Sequence, residues 1–167
     1  LQNNPIITKI KKGITTKILN ELASFAKEEN DSYLNFWKNF GAVIKEGLYE
    51  FNDHHDKILP LLRFQSSLSE DYLSLDDYIS NMNKNQKEIY YFANVDKEHI
   101  KNSPQLETFI DKKIPVLFMI DAVDEFWLQN IQKFKEKDFK SITKGKVDLS
   151  KFKKNKKDKN NSNIKNN

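Results

Sequence analysis

The chain contains no cysteine, so disulfide bridges, zinc knuckles and thiol nucleophiles are excluded, and a reducing compartment suits it. Glycine is scarce, at four residues in 167, and none falls in a GxGxxG, GxxxxGKS/T or GxSxG run; HExxH is absent too. Arginine is reduced to Arg63. The guanidinium fork is the usual reader of guanine and phosphate, so a single copy argues against specific nucleic-acid recognition. No run approaches the ~20 apolar residues of a membrane span, and the first residues lack the charged start and apolar core of a signal peptide. These absences predict a soluble, cytoplasmic protein with neither a membrane nor a specific nucleic acid as partner.

What is present is unevenly distributed. The net charge is +4, yet residues 151–167 hold seven lysines against Asp158, a balance of +6, which leaves −2 for residues 1–150. The Lys/Asn-rich tail has almost nothing apolar to bury and is expected to be disordered. At most it gives weak, salt-sensitive phosphate contacts.

The pattern most worth questioning is Ile114 to Asn130, IPVLFMIDAVDEFWLQN. Val116 to Ile120 is an unbroken apolar run of strand length, as expected of a strand covered on both faces. Polarity flips at Asp121, after which Val123, Trp127, Ile131 and Phe134 recur at helical spacing and are predicted to be the buried face of a helix. Phe126 falls about 100° from the middle of that stripe, on its shoulder beside Gln129. Sites in open α/β sheets gather at the carboxyl ends of strands, which makes Asp121, Asp124, Glu125 and Phe126 the first candidates. Asp121 and Asp124 could hold magnesium and a phosphate, which would make the chain a small α/β phosphotransfer enzyme. The plainer reading puts Asp124 and Glu125 in the first helical turn, where carboxylates favour the helix dipole.

Around that centre, Asn3 or Asn4 caps a predicted helix from Pro5 to about Lys27, with Ile7, Ile10, Ile14, Ile18, Leu22 and Phe25 at steps of three and four. Ser32 opens a second helix through Tyr33, Phe36, Trp37 and Phe40, bent at Gly41, with Gly47 near its end. His54, His55 and Asp56 look like a solvated helix start; adjacent histidines project about 100° apart and suit no metal. Gln65 to Leu73, rich in Ser and charge, reads as a linker. Ser74 and Asp77 form a capping-box pair, Glu88 to Ala93 a strand, Ser103-Pro104 a helix start and Phe139 to Thr143 a third strand. The predicted organisation is a helical coil over residues 1–66, a small α/β lobe over 67–150 with a short mixed or parallel sheet, and the tail at 151–167.

Seven runs resemble, in order, those of the heat-shock protein 90 chaperone family in its bacterial form, high-temperature protein G: FWKNFGAVIKEGLYE from Phe36, LLRFQSS from Leu61, SLDDYISNM from Ser74, QKEIYYFAN from Gln86, SPQLE from Ser103, VDEFW from Val123 and FKSITKG from Phe139. The likeness covers Leu1 to about Phe152. Ala122 departs from it, standing where proline is common. The resemblance implies the end of the family's middle segment, a helical coil followed by the small lobe. It also implies a part in ATP-driven, stress-responsive protein folding. The family's nucleotide pocket, dimerisation domain and phosphate-reaching arginine lie outside the region of likeness, so this chain is expected to carry no catalytic site, to bind neither ATP nor magnesium, and to be a monomer. Its expected partners are unfolded or partly folded clients and the other domains of the parent chaperone. The family's client surface implies contact through Glu125, Phe126 and Gln129.

Overall fold

The computed structural model describes residues 4–50 and 52–152. Asn4 accepts the amide of Ile6 at 2.9 Å and Pro5 occupies the first position of α1 (Pro5–Glu28), the start the sequence predicts. Only a break at Glu29 separates it from α2 (Asn30–Glu50), which runs without interruption through Gly41 and Gly47. The two helices pack side by side, and Phe25, Tyr33 and Phe36 join their rings edge to face and tilted at 5.6–6.0 Å. A turn at Asn52–His54, α3 (His55–Ile58) and a turn at Leu59–Leu61 lead to the sheet.

Six strands make that sheet among the described residues: β1 (Phe64–Ser66), β2 (Ser69–Leu73), β3 (Glu88–Ala93), β4 (Leu117–Met119), β5 (Lys133–Phe134) and β6 (Lys137–Ser141), in the order β2-β1-β4-β3-β6-β5. β3 lies between β4 and β6 and is parallel to both, with Tyr91 opposite Leu117 and Ile89 opposite Phe139. The outer pairings are antiparallel, so the sheet is mixed. Between the strands come α4 (Leu75–Ser80), opened by the Ser74/Asp77 capping box, then α5 (Lys97–Lys101), α6 (Pro104–Asp111) and α7 (Ala122–Asn130).

Alternation within the strands builds two cores. Ile89, Leu117 and Met119 face Leu19, Trp37, Leu48 and Trp127, while Tyr90, Phe92 and Phe118 face Ile100, Leu106 and Phe109. β4 is buried at all three positions, as its unalternated sequence predicts. The architecture is α/β, with the helical coil sharing the first of the two cores.

Several expectations need correction. Gln65 to Leu73 is a hairpin rather than a linker, and the predicted division after residue 66 falls in its turn; an edge strand needs no apolar alternation, so its Ser and acidic residues hid it. α7 stops at Asn130, and Phe134 is buried from β5 instead of from the helix. The α5–α6 side also takes in Phe152, which is 4 % exposed and whose carbonyl accepts from the Lys112 ammonium, so the folded body extends past residue 150. The rest of the expected tail lies outside the described residues. His54 is buried, not solvated, and His55 Nε2 lies 2.8 Å from the Leu48 carbonyl oxygen. On α1, burial falls on Leu19 and Ala26, whereas Ile6, Ile7, Ile10, Ile14 and Ile18 form an exposed ridge. Phe40 is likewise exposed, stacked on Phe36 at 5.0 Å.

Candidate functional site

Asp121 leaves β4 in an extended conformation and hands the chain to α7 within one residue. The backbone amide of Asp124 donates to the Asp121 carbonyl at 2.9 Å, and Asp124 Oδ2 accepts the Asp121 amide at 3.1 Å. Two donors otherwise left open at a helix start are thereby satisfied. Three residues on, Trp127 shares Asp124's inward face: Trp127 Nε1 donates to Asp124 Oδ1 at 2.9 Å, and its ring meets Phe139 edge to face at 5.5 Å. Both side chains are fully buried.

Lys45, on α2, closes this arrangement from the other side. Its Nζ donates to Asp124 Oδ2 at 2.8 Å and to Asp121 Oδ2 at 2.9 Å. The ammonium also sits 4.8 Å from the Phe64 ring centroid and 6.0 Å from that of Trp37. The lysine side chain is 3 % exposed, Asp124 is sealed and Asp121 retains 36 %. Burial pushes the Asp124 carboxyl above the ordinary aspartate value, against the opposing pull of Lys45 and the Trp127 and Asp121 donors. A cleft of about 160 Å³ opens beside the pair, bordered by Gly41, Arg63, Gln65 and Tyr72.

These contacts remove the ligands on which the phosphotransfer alternative depends. Both oxygens of Asp124 are taken by protein donors away from solvent, and the free side of Asp121 is a single carboxylate beside an ammonium. Among the described residues no three His, Asp or Glu side chains are grouped to hold a metal ion. No described helix is long and apolar enough to cross a membrane.

The opposite face of α7 is open. Glu125, Phe126 and Gln129 are all exposed, with Phe126 at 56 %, so the shoulder position predicted for its ring holds although the stripe beside it was drawn wrongly. Val123 is only partly buried, and Asp124 takes the inward place that the spacing gave to apolar residues. Lys45 is absent from the residues singled out by sequence. A signal for it exists, because Trp37, Gly41, Lys45 and Leu48 recur at helical spacing and Lys45 is the one charge in that inward row.

The family model described as Hsp90 protein matches residues 1–167. The chaperone protein HtpG of Roseobacter denitrificans is 49% identical over 152 residues, which cover 91% of this chain and 24% of that protein. HtpG of Wolbachia pipientis wMel is 44% identical over 154 residues, again 91% and 24%. Among solved structures, the middle domain of a putative heat shock protein of Plasmodium falciparum superposes with a TM-score of 0.77 at 29% identity, covering 86% of this chain and 61% of that one. The chain thus spans about a quarter of the length of the curated relatives it matches.

Proposed function

Because the chain belongs to the Hsp90 family, we propose that it forms the client-contacting part of an ATP-driven chaperone, and that Glu125, Phe126 and Gln129 on the outer face of α7 hold partly folded segments of other proteins. The observation that carries this is the 56 % exposure of Phe126 on a helix whose next residue is completely buried. Burying a phenylalanine is worth about 1.5–3 kcal/mol, and a ring left outside on an anchored helix is free to bury itself against a partner. Since Asp124 and Trp127 already fix the helix, binding there costs little ordering entropy. The isoleucine ridge of α1 suits the other domains of the parent chaperone, with α1 and α2 as the stiff element through which their movement reaches α7.

We assign no catalytic step to these residues and propose that nucleotide chemistry lies outside them. Calorimetric titration with ATP and magnesium is expected to give no saturable heat at micromolar concentration, and a saturable signal would overturn that assignment. The client surface is tested with reduced, carboxymethylated lactalbumin, a permanently unfolded protein, by fluorescence anisotropy. Phe126→Ala is expected to weaken binding about tenfold, the affinity equivalent of ~1.4 kcal/mol. Unchanged affinity would refute the surface.

A further inference from the structure

We propose that Lys45 is a positioning residue for the outer face of α7: by holding Asp121 and Asp124 together it sets the rotation of that helix, and hence the pose in which Phe126 meets a client. The inference rests on the client-surface reading above and goes further, by tying that surface to one residue of the helical coil.

α7 has nine residues, a length of about 13 Å, too short to be a stable helix alone, so its placement depends on what holds it. Two anchors do so. Trp127 and Ile131 hold the second half by burial, a contact with little directional preference. The first turn is held differently: Val123 is only partly buried, and the sealed side chain is the charged Asp124, bound to Lys45. Two carboxylates three residues apart lie on one side of the helix, and both reach the same ammonium at 2.8–2.9 Å. That geometry fixes rotation about the helix axis, which apolar packing alone does not. A helix with side chains has a radius of roughly 5–6 Å, so a slip of ~20° carries the Phe126 ring about 2 Å across the surface. Phe126 stands two residues from Asp124 and one from Trp127, so loosening the first anchor leaves the ring pivoting on the second.

The ammonium itself has few alternatives. It is boxed by the Phe64 and Trp37 rings and, among the described residues, reaches no acidic group but these two within ion-pair distance, so its three protons serve α7 and the aromatic walls. Its stem belongs to α2, so a shift of α2 is transmitted to the start of α7 through two charge-assisted bonds.

The test compares Phe126→Ala, the double variant Lys45→Met/Asp124→Asn and their combination, using carboxymethylated lactalbumin binding, urea unfolding and amide hydrogen exchange over residues 122–126. The double variant removes both sealed charges with little change in volume, so no unpaired charge remains buried. It is expected to unfold cooperatively, to bind the client about fivefold more weakly, a coupling of the usual allosteric size, and to exchange its 122–126 amides faster. In that background Phe126→Ala should add much less than it does in the unaltered chain. A folded double variant with unchanged client affinity overturns the role of Lys45 while leaving the client surface standing. No effect of Phe126→Ala in the unaltered chain removes the surface itself. If the double variant does not fold, Asp121→Asn, altered at the half-exposed edge, decides: weaker binding at unchanged melting temperature sustains the role, and unchanged binding ends it.

Discussion

Replacing Gly41 with alanine sets two effects of known size against each other. In a helix interior, glycine to alanine gains about 1 kcal/mol. At Gly41 the new Cβ would lie 2.7 Å from Cε2, 2.9 Å from Cδ2 and 3.0 Å from Cζ2 of Trp37. Carbon atoms rest at about 3.5–4.0 Å, so the ring must retreat by something near 1 Å. Trp37 is 5 % exposed and has the Lys45 ammonium near its face, so it has little room to do so. Overpacking of this kind costs about 1–3 kcal/mol, which outweighs the helical gain and leaves Gly41→Ala destabilised by roughly 1 kcal/mol. Gly13, in the middle of α1, has nothing within 4 Å of the corresponding Cβ, so Gly13→Ala keeps the whole gain. The two variants should stand about 2 kcal/mol apart, or roughly 4–8 °C in melting temperature for a chain of this size. Urea unfolding followed by far-ultraviolet circular dichroism measures the difference without relying on Trp37 itself. If both alanines stabilise equally, the Trp37 ring is free to move, and the tight packing ascribed to the inner face of α2 is wrong.

The adjoining residues of α7 should separate cleanly in stability: Trp127→Ala is expected to cost about 3–5 kcal/mol, because it empties a sealed site and strands Asp124 Oδ1, whereas Phe126→Ala should change stability by less than about 1 kcal/mol, both read from urea midpoints. A chain ending at Ser150 should melt several degrees below one ending at Phe152, because only the latter keeps the buried Phe152 ring, worth about 3 kcal/mol. Alkaline unfolding should begin above the ordinary tyrosine value of about 10. Burial raises the Tyr33 phenol to about 12, so its stabilising contribution is complete below 10 and is lost as pH climbs through 12, with buried Tyr78 shifted in the same direction. Tyr33→Phe should flatten that loss in a pH series of melting temperatures, and an unchanged alkaline limb would show that Tyr33 is not responsible.

Where local signals decided the structure, the sequence was a good guide. Pro5 after Asn4, the Ser74/Asp77 pair, the β-branched and aromatic run at Glu88–Ala93 and the apolar run before Asp121 each carry their own conformational cause, and each element lies where it was expected. Contacts between distant segments decided the rest. β1 is held by pairing Gln65 with Phe118, and nothing in the polar sequence of the hairpin announces that partner. The β5–β6 hairpin that takes Phe134 out of the helical row turns at Lys135 and Glu136 with φ of 44° and 61°, a conformation that neither residue advertises. Helical spacing placed Phe126 outside but gave the inward place to apolar residues, because the cation that lets Asp124 be buried lies on another helix. The isoleucines of α1 have the period of a buried face, and period alone does not say which body covers it.

The separation of Lys45 from its partners also has a meaning in time. Asp121 and Asp124 follow it by 76 and 79 residues. At a synthesis rate of about 5–20 residues per second, Lys45 leaves the ribosome roughly 4–16 s before either carboxylate does. Through that interval the inner row of α2 has α1 and α3 beside it but no sheet to close over it, and Lys45 is an ammonium beside the Trp37 ring with neither of its carboxylate partners present. Closure of the coil onto α7 is thus a late event in the birth of the chain, and slow translation through the intervening codons lengthens the exposure.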